Sequence, residues 1–240
     1  MLLNISNEYK SPNFDNRRKN TKIKYIIIHY TETKNLKTAL KILCNPKKKV
    51  SCHFIIDLNG KIYKLVDESK NAWHAGLSYW KKNERLNDRS IGIEIVNDGV
   101  TKFNDIQIRN LILLLKKLVK NFGIDKLNIL GHSDIAPTRK KDPGIFFPWE
   151  KLQKFKFGLP LKKSEKAKNL NLSNNEFRLF LKNLKKVGFS QINIKQQDSK
   201  INKIIINSFH RHFYIERVDK SPDKNSLEIS NFIILNLFNN

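Results

Sequence analysis

Six histidines punctuate the chain, at positions 29, 53, 74, 132, 210 and 212. Two of them end short apolar runs. His29 follows Tyr25-Ile26-Ile27-Ile28, and His132 follows Asn128-Ile129-Leu130-Gly131. Residues just beyond strand ends line the crevice where an open sheet binds its ligands. The loop after His132, running from Ser133 to Gly144, brings two carboxylates, Asp134 and Asp142. Two imidazoles, one carboxylate and an open fourth position form the donor set of a catalytic zinc site, whereas a structural site closes all four positions. No HExxH helix is present, and the candidate ligands are spread along the chain. Spacing therefore leaves Asp134 and Asp142 as alternatives. Cys44 and Cys52 are the two cysteines; they allow one disulfide but no CxxC metal site.

Elements that could position these residues are legible in the periodicity. Lys24–Tyr30 is apolar on both faces up to His29, as a central strand is. Thr33 precedes a helix over 35–44 that Pro46 stops. His53–Asp57 and Lys61–Val66 flank Asn59-Gly60, the strongest hairpin signal in the chain. In the strand Ser90–Val96, Ile91, Ile93 and Ile95 share one face while Gly92, Glu94 and Val96 share the other. Glu94 thus points away from the isoleucines, with Gly92 leaving room beside it. Asn104–Phe122 reads as an amphipathic helix with a capping box at Asn104 and Gln107 and a stop at Gly123. A further strand covers 127–130. After it, Ser173-Asn174-Asn175-Glu176 caps a helix to Val187; two more helices cover about 199–212 and 227–238.

The fold class expected is α/β: a mixed central sheet flanked by helices, followed by a small three-helix domain. The boundaries are 1–157 with an extended N-terminal arm, a Lys-rich linker over 158–172, and a helical domain over 173–240.

Composition narrows the partners. The 240 residues carry 46 Lys and Arg against 22 Asp and Glu, a formal charge of +24. Such a chain attracts polyanions, whether nucleic acid, anionic lipid or an acidic wall polymer. The charge is spread along the chain, which also fits a compositional drift of the whole sequence. No nucleic-acid-binding motif accompanies it. The longest apolar runs, such as Ile26–Ile28 and Leu111–Leu115, are far too short to span a bilayer. The first residues lack the pattern of a secretory signal.

Seven segments, taken in order, resemble the zinc-dependent N-acetylmuramoyl-L-alanine amidases related to peptidoglycan recognition proteins. They are Tyr25–Thr31, Ser51–Ile56, Ala72–Gly76, Ser90–Ile95, Gly131–Pro137, Lys140–Gly144 and Phe147–Trp149. The resemblance covers about residues 22–152. It implies Zn2+ held by His29, His132 and Asp142, with Asp134 as the rival carboxylate. It implies Glu94 and Lys140 as catalytic residues, Lys141 being the neighbour that a one-residue slip would substitute. His53, Trp73 and His74 fall in motifs around the substrate groove and are expected substrate contacts. His210 and His212 are expected to be structural or surface residues.

Ile206–Phe213 with Asp219 and Asp223 is similar to a helical peptidoglycan-binding domain, although Lys220 follows Asp219 where a glycine is usual. The implied activity is hydrolysis of the bond between N-acetylmuramic acid, or its 1,6-anhydro form, and L-alanine. The implied partners are peptidoglycan or muropeptide fragments, with no specific nucleic acid, no transmembrane segment and a monomeric chain. The start of the chain points to the cytoplasm and the wall-binding-like tail to the cell envelope.

Overall fold

A computed structural model describes residues 3–162 and 170–238. Of the Lys-rich stretch expected as a linker, residues 163–169 lie outside the described residues. The strands and helices, in chain order, are β1 (Ile5–Ser6), β2 (Phe14–Asn16), β3 (Tyr25–Tyr30), α1 (Leu36–Leu43), β4 (Phe54–Ile56), β5 (Ile62–Lys64), β6 (Lys70–Ala72), β7 (Tyr79–Trp80), β8 (Asn83–Glu84), β9 (Ser90–Ile95), α2 (Asp105–Phe122), β10 (Ile129–Gly131), α3 (His132–Ile135), α4 (Trp149–Gln153), α5 (Asn174–Val187), α6 (Lys200–Phe213) and α7 (Lys224–Phe238).

Six strands form one mixed sheet in the order β1-β5-β4-β9-β3-β10. Only the β4–β5 hairpin is antiparallel; the other four pairings are parallel. The α/β expectation is met. The central pair, β3 and β9, is isoleucine-rich because both of its faces are covered. Ile26, Ile28, Ile91, Ile93 and Ile95 pack under α2, against Ile108, Leu111, Leu115 and Leu118. Gln107 in the first turn of α2 is fully buried and donates to Val96 O at 2.9 Å, which pins the helix to the end of β9. Fully burying each such Leu or Ile contributes roughly 1.5–3 kcal/mol.

The second face of the sheet has two covers. Over β4 and β5, Ile55, Tyr63 and Val96 pack against Ala39 and Leu43 of α1. Over β3 and β10, Tyr25, Ile27 and Leu130 share one continuous core with Phe180 and Leu184 of α5, Ile205 and Phe209 of α6, and Ile229 and Ile233 of α7. The β7–β8 hairpin joins this core through Trp80, which meets Phe189 edge-on at 5.2 Å. Its ring lies on Gly188, where an added Cβ would sit 2.3 Å from the indole. The C-terminal helices are thus a layer on the sheet. The two covers part above the carboxyl ends of β3 and β9.

The N-terminal arm is extended, as expected, and hydrogen-bonded: β1 pairs with β5 and β2 with β6. The Arg17 guanidinium then donates to the backbone carbonyls of Glu68, Asn87, Asp88 and Ser90. Helix α7 starts three residues before the expected Leu227, because Asp223 caps it by accepting from Ser226 N at 2.9 Å. Cys44 and Cys52 are free thiols. Among the described residues, no helix is long and apolar enough to cross a membrane.

Of the two alternatives expected for His210 and His212, structural or surface, burial leaves the structural one. Burial pushes His210 down to about 4, despite the opposing charge of Asp223, and pushes His53 down to about 3, with Arg17 acting in the same direction. An unfolded chain binds those protons near pH 6.5, so stability is present above that pH and is lost as pH falls toward the folded values. Lowering the pH from 7 to 5 is expected to cost about 2 kcal/mol for each of these two histidines, read as a drop in urea midpoint that His210→Gln reduces.

Candidate metal centre and active site

His29 and Glu94 are register partners on β3 and β9 and point to the same sheet face, opposite α2. His132 opens α3 directly after β10, the strand beside β3. Asp142 lies on the loop that returns past this turn, where Ser133 N donates to Asp142 O at 2.8 Å. Three side-chain atoms then meet. His29 Nδ1 lies 3.0 Å from His132 Nδ1 and 2.9 Å from Asp142 Oδ2, and His132 Nδ1 lies 3.0 Å from the same oxygen. All three residues are buried.

The remaining ring nitrogens decide what this triangle is. Ser90 donates its hydroxyl hydrogen to Leu86 O, a carbonyl that can only accept. Ser90 Oγ therefore accepts from His74 Nε2–H at 3.1 Å, which leaves His74 Nδ1 to accept from His29 Nε2–H at 3.0 Å. His132 Nε2–H donates to another carbonyl, Ala75 O, at 3.1 Å. Burial, then the neighbouring His132, holds His29 down at about 4, so it is neutral at pH 7. Neutral rings with the hydrogen on Nε2 carry bare lone pairs at Nδ1. Both lone pairs point at the same place, beside a carboxylate oxygen, and no proton arrangement satisfies all three edges. A cation does. Tetrahedral zinc with bonds of about 2.0–2.1 Å separates its ligand atoms by about 3.3 Å, close to the triangle found. Among the described residues this is the one group of three or more His, Cys, Asp or Glu side chains placed to hold a metal ion.

Glu94 is buried beside this centre, and its Oε2 has no hydrogen-bond partner. Burial, reinforced by the charge of Asp142 and opposed by Lys140, pushes its carboxyl well above the usual range. Lys140 and Lys141 are both exposed at the mouth of a cleft of about 620 Å³ that also holds His29, Glu94, His132 and Asp142. The charge of Lys140 acts on both Glu94 and His29. Its neighbour Arg139, also in the cleft lining, donates to Ala75 O and Leu77 O in the segment that follows His74. A larger surface groove of about 1120 Å³ lies elsewhere, between the N-terminal arm and α1, and holds none of these residues.

Of the other site residues expected from sequence, His74 also lines this cleft, whereas Asp134, His53 and Trp73 do not. Asp134 points away from the triangle, accepting from Gly131 N at 2.7 Å and from His212 Nδ1 at 2.9 Å. His74 stands behind His29 with both ring nitrogens committed. It also fills the space over Gly92, where a Cβ would lie 2.3 Å from its ring, so the missing side chain serves His74 and does not leave room beside Glu94. His53 is fully buried: its Nδ1 accepts from Gly92 N at 3.0 Å and its Nε2 faces Lys70 O, out of reach of the cleft. Trp73 is half-buried and tied by its backbone to Ser51, away from the cleft lining. Nothing local in the sequence marks Ser90, Asn87 or Arg139 as site residues. Asn87 Oδ1 accepts from both His74 N and Ala75 N, at 3.1 and 2.6 Å. His74→Phe keeps the ring volume and removes the acceptor behind His29. It is expected to weaken metal binding roughly 10–100-fold, measured by chelator competition.

Fold and site together define a class: a mixed α/β sheet with a cleft at its strand ends in which His29, His132 and Asp142 are placed to hold a metal ion. The family model for N-acetylmuramoyl-L-alanine amidase matches residues 19–145, more than half of the chain, and the chain belongs to that family. It is 42% identical over 147 residues to the N-acetylmuramoyl-L-alanine amidase AmiD of Escherichia coli K12, a match covering 55% of this chain and 52% of AmiD. The match therefore spans about half the length of that relative. It is 33% identical over 168 residues to the 1,6-anhydro-N-acetylmuramyl-L-alanine amidase AmpD of Haemophilus influenzae, covering 62% of this chain and 91% of AmpD. Among solved structures, it resembles E. coli AmiD in complex with the substrate anhydro-N-acetylmuramic acid-L-Ala-D-gamma-Glu-L-Lys. The TM-score is 0.78 at 29% identity, over 92% of each chain.

Proposed function

We propose that this chain hydrolyses the amide bond joining N-acetylmuramic acid, or its 1,6-anhydro form, to L-alanine of the stem peptide. The observation that carries the reading is the pair of Nδ1 lone pairs, on His29 and His132, directed onto one point beside Asp142 and within the cleft that holds Glu94. The substrate in the AmiD complex contains that bond, and a cleft of about 620 Å³ lies within the usual range of roughly 300–1,000 Å³ for ligand pockets.

An amide carbonyl is a poor electrophile and neutral water a poor nucleophile. His29, His132 and Asp142 would hold a zinc ion, which would supply Lewis-acid chemistry: polarisation of the carbonyl and acidification of water. Glu94 Oε2 takes a proton from the attacking water and returns it to the alanine nitrogen as the C–N bond breaks. Lys140 Nζ donates to the oxygen that carries the developing negative charge, a role worth roughly 3–4 kcal/mol. The His74–Ser90–Leu86 chain holds the His29 ring in the tautomer that leaves Nδ1 bare. We further propose that the α5–α7 segment contacts the wall polymer, using a groove of about 600 Å³ that includes Asn207, Asp219 and Lys220.

The test is a mass-spectrometric digest of anhydro-muropeptides and of purified peptidoglycan, with and without chelator. Release of stem peptides that begin with free L-alanine, lost with chelator, supports the amidase; the faster substrate identifies its working form. Binding of either substrate by the zinc-loaded protein without any cleavage would overturn the enzyme and leave a recognition module.

A further inference from the structure

Helix α6 lies outside the residues matched by the family model, yet it makes two hydrogen bonds to the turn that follows His132. Ser208 Oγ donates to Ser133 O at 2.6 Å. His212 Nδ1 donates to the Asp134 carboxylate, at 2.9 and 3.1 Å to its two oxygens. Both side chains of the His212–Asp134 pair are essentially sealed from water, at 2% and 0% exposure. The His212 ring is stacked on Trp149 at 3.9 Å and 15° between planes, so its direction is fixed by packing. Its Nε2 is buried without a hydrogen-bond partner, which leaves the bond to Asp134 as its polar anchor.

What this pair holds is the frame of two candidate ligands. Asp134 also accepts from Gly131 N, so its carboxylate closes the turn from Gly131 to Asp134 that carries His132. Ser133 N is bonded to Asp142 O. The backbone on both sides of His132, and the backbone of Asp142, are thus fastened to one carboxylate and one serine, and α6 holds both. The turn has little freedom elsewhere: a Cβ at Gly131 would lie 2.6 Å from Pro143 and 3.4 Å from Trp149. Without His212, the sealed Asp134 carboxylate keeps a single backbone donor. A buried acceptor stripped of a partner is costly enough to drive the turn toward water.

We propose that His212 is a positioning residue for the metal centre: by holding Asp134 it fixes the turn that places His132 and Asp142. The C-terminal helical layer then builds the centre as well as covering the sheet. This inference rests on the zinc site proposed above.

The experiment uses the full chain and compares His212→Phe, His212→Asn and His212→Gln. Phenylalanine keeps the stack on Trp149 and removes the donor. Asparagine places an amide N–H near the position of Nδ1, and glutamine places it near Nε2, where no partner lies. Zinc dissociation constants from chelator competition, kcat and KM on anhydro-muropeptide, and amide exchange at Gly131 and Ser133 are measured. The expected result for Phe and Gln is roughly tenfold weaker zinc, the low end of the range for supporting residues, with lower kcat, unchanged KM and faster exchange at both amides. Asn is expected to recover most of the loss. If Phe keeps wild-type zinc affinity and kcat and lowers only the melting temperature, His212 is a packing residue and the proposal falls. If Phe does not fold, equal zinc affinities for Asn and Gln overturn it. Wild-type protein that binds no zinc would instead overturn the metal site itself.

Discussion

Glu94→Gln is expected to lower kcat about 10³-fold while zinc content stays at the wild-type level. Glutamine matches the shape of the glutamate but cannot accept a proton from water, and general acid–base groups contribute typically about 10²–10⁴-fold. Zinc should stay because the triangle of His29, His132 and Asp142 is complete without Glu94. The pH profile adds a separate mark. Burial and the charge of Asp142 raise the Glu94 carboxyl well above its ordinary range, against the pull of Lys140. As the base, Glu94 must be ionised, so kcat/KM rises with pH through this raised value and falls below it. That acid limb should disappear from the residual activity of the glutamine variant. Stopped-flow or product-mass kinetics between pH 5 and 9, with zinc measured on the same samples, checks both statements. A variant that keeps the acid limb would assign it to another group, and one that loses zinc would place Glu94 among the ligands.

The sheet was legible where periodicity is strong. The isoleucine runs of β3 and β9, the Asn59-Gly60 hairpin and the caps of α2 and α5 each carry a signal within a few residues, and each element lies where it was expected. Strands of two or three residues, such as β6 to β8, lack the length to show alternation. In the site, residue types and strand-end positions identified His29 and His132, but the supporting cast is non-local. His74 reaches His29 across 45 residues and His212 reaches Asp134 across 78. A histidine in an aromatic-rich motif looks the same in sequence whether it faces a groove or the back of a ligand. Gly92 shows the same limit: alternation placed it correctly on the Glu94 face, but only packing reveals which side chain fills its gap. The C-terminal helices read as a separate domain because their periodicity is self-contained. Their apolar faces nevertheless close on Tyr25, Ile27 and Leu130 of the sheet.

Asp142→Ala is expected to abolish zinc binding at micromolar metal and to lower hydrolysis at least about 10³-fold. The Lewis acid is worth several kcal/mol and each 1.36 kcal/mol is a factor of ten. The variant leaves two buried imidazole lone pairs about 3 Å apart without the carboxylate oxygen that completes the triangle, a far poorer home for a dication. Asp134→Asn is the informative partner. Asp134 accepts from Gly131 N and His212, and neither of its oxygens faces the triangle. That variant should keep one zinc per chain, with affinity no more than about tenfold weaker, since what it loosens is the turn. Thermal unfolding separates the two without any turnover. Metal that binds the folded state alone stabilises by about 4 kcal/mol when present at a thousand times its dissociation constant, so zinc should raise the melting temperature of wild type and of Asp134→Asn. Asp142→Ala should melt at the same temperature with and without zinc. The reverse pattern, with zinc stabilising Asp142→Ala but not Asp134→Asn, would exchange the two carboxylates. It would require the turn after His132 to leave the arrangement that His212 and Ser208 hold.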